Sequence, residues 1–132
     1  MSSQRLLRLL LIEDVDDFQV ILRFSLETLS GWQVMTAKPN QDWLALAKIE
    51  SPDVILLDEN SSFAEILAQL KSDVLTQDLP VICLVARDRL TDQLQLQQEG
   101  AAVIVGKPFD PIDLVKTISD LVKPWAQDLA KS

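Results

Sequence analysis

The chain of 132 residues contains no histidine and a single cysteine, Cys83. Without histidine the chain cannot form a Ser-His-Asp triad or a Cys-His nucleophile, and the usual zinc sites are excluded as well. One cysteine cannot form a disulfide within the chain. Aromatic residues make up only 5% of the sequence, and the three tryptophans are spread along it. We therefore expect no stacking platform for nucleic acid.

Positive charge is also scarce, since 12 Lys and Arg stand against 20 Asp and Glu and give a net charge of −8. Such a surface repels nucleic-acid phosphates and anionic membranes, so neither is an expected partner. No apolar run approaches the roughly 20 residues that span a bilayer. The first residues lack the pattern of a secretory signal, which makes the cytoplasm the expected location.

The apolar residues alternate between short dense runs and longer spaced patterns, which predicts repeated strands and helices. The dense runs lie at residues 6–12, 34–37, 54–57, 81–85 and 103–105. Runs without polar alternation are typical of parallel strands covered on both faces. We expect a doubly wound α/β domain of five βα units, a three-layer sandwich over residues 1–124, followed by a short tail at 125–132.

Local signals give the expected limits of the helices. The first helix carries its apolar face on Phe18, Ile21, Leu22, Ser25 and Leu29 and ends at Gly31. The second begins near residues 39–40, the third has a capping-box spacing from Ser62 to Glu65, and the fifth begins at Asp110 and Pro111. In the fourth helix, Leu90 and Leu94 are the expected inward anchors.

Charged residues follow the predicted strands at their carboxyl ends. Glu13 and Asp14 end the first strand, Asp58 ends the third and Lys107 ends the fifth. Ligands of doubly wound folds bind at this edge, so three carboxylates and one ammonium converge there. Crowded carboxylates repel each other, and either protonation or a divalent cation relieves this repulsion. Oxygen ligands without His or Cys favour Mg²⁺.

Four segments resemble the receiver domain of two-component response regulators: residues 10–14 (LLIED), 52–58 (PDVILLD), 79–82 (LPVI) and 106–109 (GKPF). Their order and spacing match the family over nearly the whole chain. The resemblance implies that the chain has a flavodoxin-like fold. It also implies that the protein is a phosphoacceptor rather than a turnover enzyme. The resemblance further implies that the chain receives a phosphoryl group from a histidine kinase or phosphotransfer protein and signals to a downstream protein, in the manner of a stand-alone chemotaxis regulator.

The resemblance also assigns roles to individual residues. Asp58 is the expected phosphoacceptor, and Lys107 pairs with a phosphoryl oxygen. Glu13, Asp14, Asp58 and the backbone carbonyl of Asn60 are the expected Mg²⁺ ligands. The Lys107–Pro108 peptide bond is expected to be cis.

The sequence departs from the family at the two switch positions. Val85 stands where a Thr or Ser usually ends the fourth strand, and Ile104 stands where an aromatic residue is usual. The connection after Asp58 is also about three residues short of the family pattern. These departures leave open whether the chain accepts phosphate or is a pseudo-receiver, a protein-interaction module that works without phosphorylation. A phosphohydrolase of the haloacid dehalogenase type is a third hypothesis, disfavoured because Asn60 stands where its second Asp is required.

Overall fold

The computed structural model describes residues 6–86 and 92–131, with side chains described up to residue 122. Strands and helices alternate along these residues. The strands are β1 (Arg8–Ile12), β2 (Gln33–Ala37), β3 (Val54–Asp58), β4 (Val81–Ala86) and β5 (Val103–Lys107). The helices are α1 (Asp16–Ser30), α2 (Trp43–Glu50), α3 (Phe63–Ser72), α4 (Gln93–Gln98) and α5 (Pro111–Lys131). None of the helices in the described ranges is long and apolar enough to span a membrane.

The five strands form one parallel sheet in the order β2-β1-β3-β4-β5. After β2 is added on one side of β1, the next strands are added in sequence on the other side. This strand order is that of the flavodoxin-like doubly wound fold. The predicted fold class is confirmed.

The three central strands, β1, β3 and β4, are buried on both faces, so the core has two parts. On one face, α1 and α5 pack through Leu22, Leu26, Leu114 and Ile118. On the other face, α2, α3 and α4 pack through residues that include Trp43, Phe63, Ile66, Leu67 and Leu96. Residues along each strand alternate between the two parts, which explains why the dense apolar runs predicted strands correctly.

Two helix limits differ from the predictions. Helix α2 begins at Trp43 rather than near residue 40, because the Asp42 side chain caps it by accepting a hydrogen bond from Ala45 N at 3.2 Å. Helix α5 extends past Pro124 into the segment predicted to be a short tail. Residues 125–131 continue it as a helix, in keeping with apolar residues whose helical spacing runs on to Leu129. The domain boundary at residue 124 stays a prediction.

The predicted apolar faces of α1 and α4 were partly wrong. In α1 the buried residues are Leu22 and Leu26, whereas Ile21 and Leu29 are exposed. In α4 the buried residue is Leu96, whereas Leu94 is 69% exposed. Leu90, the other predicted anchor, lies outside the described residues.

Candidate active site

Two buried carboxylates lie side by side at the carboxyl edge of the sheet. Glu13 directly follows β1, and Asp58 is the last residue of β3. The two strands are neighbours, with Ile12 opposite Leu57. Both side chains are only 3% exposed. The fold therefore brings together two groups that lie 45 positions apart in the sequence. Their positions at the carboxyl ends of predicted strands indicated this.

Lys107 supplies the positive charge of this site. Its Nζ donates a hydrogen bond to Asp58 Oδ1 at 2.8 Å, and it lies 5.7 Å from the centroid of the Phe18 ring in α1. Lys107 ends β5, Asp58 ends β3, and β4 lies between them. The ion pair therefore spans the end of β4. The peptide bond between Lys107 and Pro108 is cis, as the resemblance implied.

One oxygen of each buried carboxylate accepts no hydrogen bond. Glu13 Oε1 accepts from Val15 N at 2.9 Å, and Asp58 Oδ1 accepts from Lys107, but Glu13 Oε2 and Asp58 Oδ2 have no donor among the described residues. Burial, together with the neighbouring Asp58 carboxylate, raises the pKa of Glu13 to about 7. When both groups are ionised neither can donate, so the pair attracts either a proton or a cation.

The carboxylate oxygens of this pair are suitable ligands for Mg²⁺. Two unpartnered, buried carboxylate oxygens are hard ligands that a small divalent cation prefers. The described residues do not present a ready-made cluster of three acidic or cysteine side chains around one point. Asp14, the third predicted carboxylate ligand, is exposed, so it lies next to the buried pair in sequence without being part of it.

Asn60 shapes the short connection between β3 and α3. Its Nδ2 donates to the Asp58 carbonyl oxygen at 2.7 Å, and its Oδ1 accepts from Ser62 N at 2.8 Å. Its own carbonyl oxygen, the predicted metal ligand, accepts from Phe63 N at 3.1 Å. The predicted capping box is wrong in one respect, because the Ser62 side chain makes no capping hydrogen bond and Asn60 tightens this turn instead.

The two switch positions are filled by core side chains. Val85 is fully buried and Ile104 is 8% exposed, and both belong to the core face that packs against α2, α3 and α4. Each residue therefore has a packing role in its strand. Neither side chain can donate a hydrogen bond to a group on Asp58.

Sequence reasoning missed two contacts of this site. Phe18 lies beneath the Lys107 ammonium, and Glu59 Oε1 accepts a hydrogen bond from Ala86 N at 3.1 Å. The first contact depends on how α1 packs on the sheet, and the second depends on the register of β3 against β4. The sequence carries no local pattern for either contact.

An open cleft of about 450 Å³ adjoins the site. It is lined by residues of α1, the ends of β4 and β5, and the segment after β5: Phe18, Ile21, Leu22, Ser25, Ala86, Lys107, Pro108 and Phe109. The cleft is mostly apolar and includes the ammonium-bearing residue of the site.

Residues 9–119 match the response regulator receiver domain family. The chain belongs to this family. It is 34% identical over 115 residues to Protein PilH of Pseudomonas aeruginosa, covering 85% of this chain and 94% of PilH. It is 30% identical over 118 residues to the phosphate regulon transcriptional regulatory protein PhoB of the same species, covering 87% of this chain and 51% of PhoB.

Solved structures agree with this assignment of the fold. The chemotaxis response regulator CheY4 of Vibrio cholerae superposes with a TM-score of 0.77 at 22% identity, over 88% of this chain and 98% of that one. The receiver domain of the Pseudomonas aeruginosa sensor histidine kinase PA1611 superposes with a TM-score of 0.75 at 21% identity, over 88% and 97%. In that structure a magnesium ion is coordinated in the active-site cleft. The predicted resemblance to receiver domains is confirmed.

Proposed function

We propose that this receiver domain accepts a phosphoryl group on Asp58 from a histidine kinase or phosphotransfer protein and signals through protein-protein contacts. The observation that carries the proposal is the arrangement of Asp58 itself. One carboxylate oxygen is held by the Lys107 ammonium at 2.8 Å, and the other has no hydrogen-bond donor among the described residues. Such a carboxylate is oriented and retains an oxygen that can act as a nucleophile.

The chain's own residues support an in-line transfer. Asp58 Oδ2 attacks the phosphorus, a new oxygen–phosphorus bond forms, and the bond from phosphorus to the donor nitrogen breaks. Lys107 compensates part of the negative charge at the acceptor, which is the main contribution that phosphoryl transfer requires of a protein. Because the chain has no histidine, the donor imidazole comes from another protein.

Mg²⁺ would be held by Glu13 and Asp58, with the exposed Asp14 and the carbonyl oxygen of Asn60 as the further proposed ligands. When bound, this cation neutralises negative charge on the transferred phosphoryl oxygens. The unpartnered, buried Glu13 Oε2 supports the assignment. The magnesium ion in the PA1611 receiver domain, which has the same fold, also supports it.

Helix α1 offers an apolar surface next to the acceptor. Val20, Ile21 and Phe24 are 65%, 62% and 70% exposed, and Ile21 also lines the cleft that includes Lys107. An exposed apolar patch beside a charged site is typical of a protein-binding surface. We assign to it the docking of the histidine-bearing donor.

Intact-mass spectrometry after incubation with Mg²⁺ and acetyl phosphate tests the proposal. We expect one added phosphoryl group on the wild type and none on Asp58→Asn or in the presence of EDTA. Acetyl phosphate replaces the protein donor, so the measurement does not depend on knowing the kinase. Incorporation on Asp58→Asn would show that Asp58 is not the acceptor.

A pseudo-receiver is the second candidate, favoured by the burial of Val85 and Ile104. These residues leave no hydroxyl and no aromatic ring at the two positions that the family uses as its switch. In this case a partner binds equally well whether or not Asp58 is modified. A severalfold change in partner affinity on phosphorylation would exclude the pseudo-receiver, whereas unchanged affinity together with no incorporation would favour it.

A further inference from the structure

Glu59 makes an unusual contact where the ladder between β3 and β4 ends. Its backbone N donates to Leu84 O at 2.9 Å, which continues the parallel ladder by one step. The next donor on β4 is the backbone N of Ala86. It bonds to the side-chain oxygen Glu59 Oε1 at 3.1 Å. A carboxylate therefore binds the last amide of β4.

This amide lies within the acceptor region. Ala86 is opposite Lys107 in the register of β4 and β5, and Asp58 is opposite Leu84 in that of β3 and β4. Since Lys107 reaches Asp58 across the end of β4, the ion pair passes over the strand end that carries Ala86. A group attached to Asp58 and the Glu59 carboxylate are thus both close to the same backbone donor.

We propose that the Glu59 carboxylate occupies, in the unmodified protein, the Ala86 amide that a phosphoryl group on Asp58 would take, and that phosphorylation displaces Glu59. This inference rests on the proposed function and names the residue that responds to it. The phosphoryl group and Glu59 are both anions, and one N–H cannot bond strongly to both.

The charges around the acceptor favour displacement rather than sharing. Lys107 donates to Asp58, while the buried Glu13 and the Glu59 carboxylate at Ala86 place acidic groups at the same strand ends. A phosphoryl group increases this negative charge. Glu59 is only partly buried, so its side chain can move away from Ala86 without breaking core packing. Its departure changes the surface at the ends of β3 and β4.

Beryllofluoride, a tetrahedral anion that mimics an aspartate-bound phosphoryl group, tests this inference in the full chain with Mg²⁺. Its affinity is measured by NMR titration, which also follows the backbone amide of Ala86. Glu59→Gln removes the charge but keeps an oxygen that can accept from Ala86, whereas Glu59→Ala removes both. Glu65→Gln is the matched control, because it removes one exposed carboxylate from the first turn of α3.

We expect Glu59→Ala to bind beryllofluoride about tenfold more tightly than the wild type, the order of effect that removal of one nearby like charge produces. Glu59→Gln should fall between the two, and Glu65→Gln should match the wild type. The Ala86 amide resonance should shift in the wild type when beryllofluoride binds.

Three other outcomes would overturn the inference. Equal or weaker binding by Glu59→Ala would mean that Glu59 only caps the strand end, while the proposed function would stand. An Ala86 amide unmoved by beryllofluoride would lead to the same conclusion. If neither the wild type nor any Glu59 variant binds beryllofluoride or incorporates phosphate, the proposed function fails, and the inference fails with it.

Discussion

The raised pKa of Glu13 makes the stability of the metal-free protein depend on pH. The ordinary value is 4.5 and the folded value is about 7. Between these values the folded state keeps a proton that the unfolded chain has lost, so folding is favoured at low pH. The free energy of unfolding should therefore fall as pH rises through this window, and become level above about pH 7.

The size of this effect follows from the difference between the two pKa values. At about 1.4 kcal/mol per pH unit, the change from 4.5 to about 7 corresponds to about 3 kcal/mol of stability lost from Glu13. Because the carboxylate is 3% exposed, solvent screening reduces this contribution little. This is a large part of the 5–15 kcal/mol that stabilises a typical domain.

Urea unfolding in EDTA, at a series of pH values from 5 to 8, measures the effect. Glu13→Gln imitates the protonated side chain at every pH, so its stability curve should be flatter and should rise above that of the wild type as pH increases. Asp14→Asn controls for charge, since it removes an exposed carboxylate from the same strand end and should leave the slope in place. Parallel curves for Glu13→Gln and the wild type would refute the reasoning.

Three further predictions concern other parts of the molecule. Lys107→Gln should lower the free energy of unfolding by about 1–3 kcal/mol at pH 8 in the absence of metal, because it leaves the buried Asp58 carboxylate without its charged donor; urea unfolding measures this. Asp42→Ala should cost about 1 kcal/mol in thermal or urea unfolding, whereas Ser62→Ala should cost much less, because only Asp42 makes a side-chain cap of the two. Equal losses would contradict the cap assignment. Phe24→Ser should slow phosphoryl transfer from a protein donor but not from acetyl phosphate, since Phe24 lies on the exposed face of α1; equal rates with a protein donor would remove α1 from the docking surface.

The fold could be predicted because each strand is a dense apolar run and most helices carry a start or stop signal. Gly31 and Asp110 end and begin their helices as expected, and Asp110 Oδ1 accepts from Ile112 N at 2.9 Å. The inward face of α4 could not be predicted from spacing alone. Leu94 and Leu96 lie two positions apart in a short glutamine-rich helix, so tertiary packing decides which of them is buried.

The core of the candidate site could also be predicted, because parallel strands bring their carboxyl ends to one edge. Glu13, Asp58 and Lys107 converge there as expected. Which oxygens lack partners, and which backbone donors are already used, depends on strand register and on the turn made by Asn60. The contact between Glu59 and Ala86 also depends on strand register, so the sequence alone does not predict it.

Proton, metal and phosphoryl binding are coupled in this site, because all three act on the same few charges. A proton neutralises Glu13, and Lys107 compensates the charge of Asp58. Glu59 accepts a hydrogen bond from the Ala86 amide. Under the proposed function, a cation at Glu13 and Asp58 competes with the proton on Glu13, so Mg²⁺ affinity must increase as pH rises toward about 7. Reciprocity requires that bound Mg²⁺ lower the pKa of Glu13 by the same coupling free energy. Magnesium should therefore reduce the pH dependence of stability in the wild type and leave that of Glu13→Gln almost unchanged.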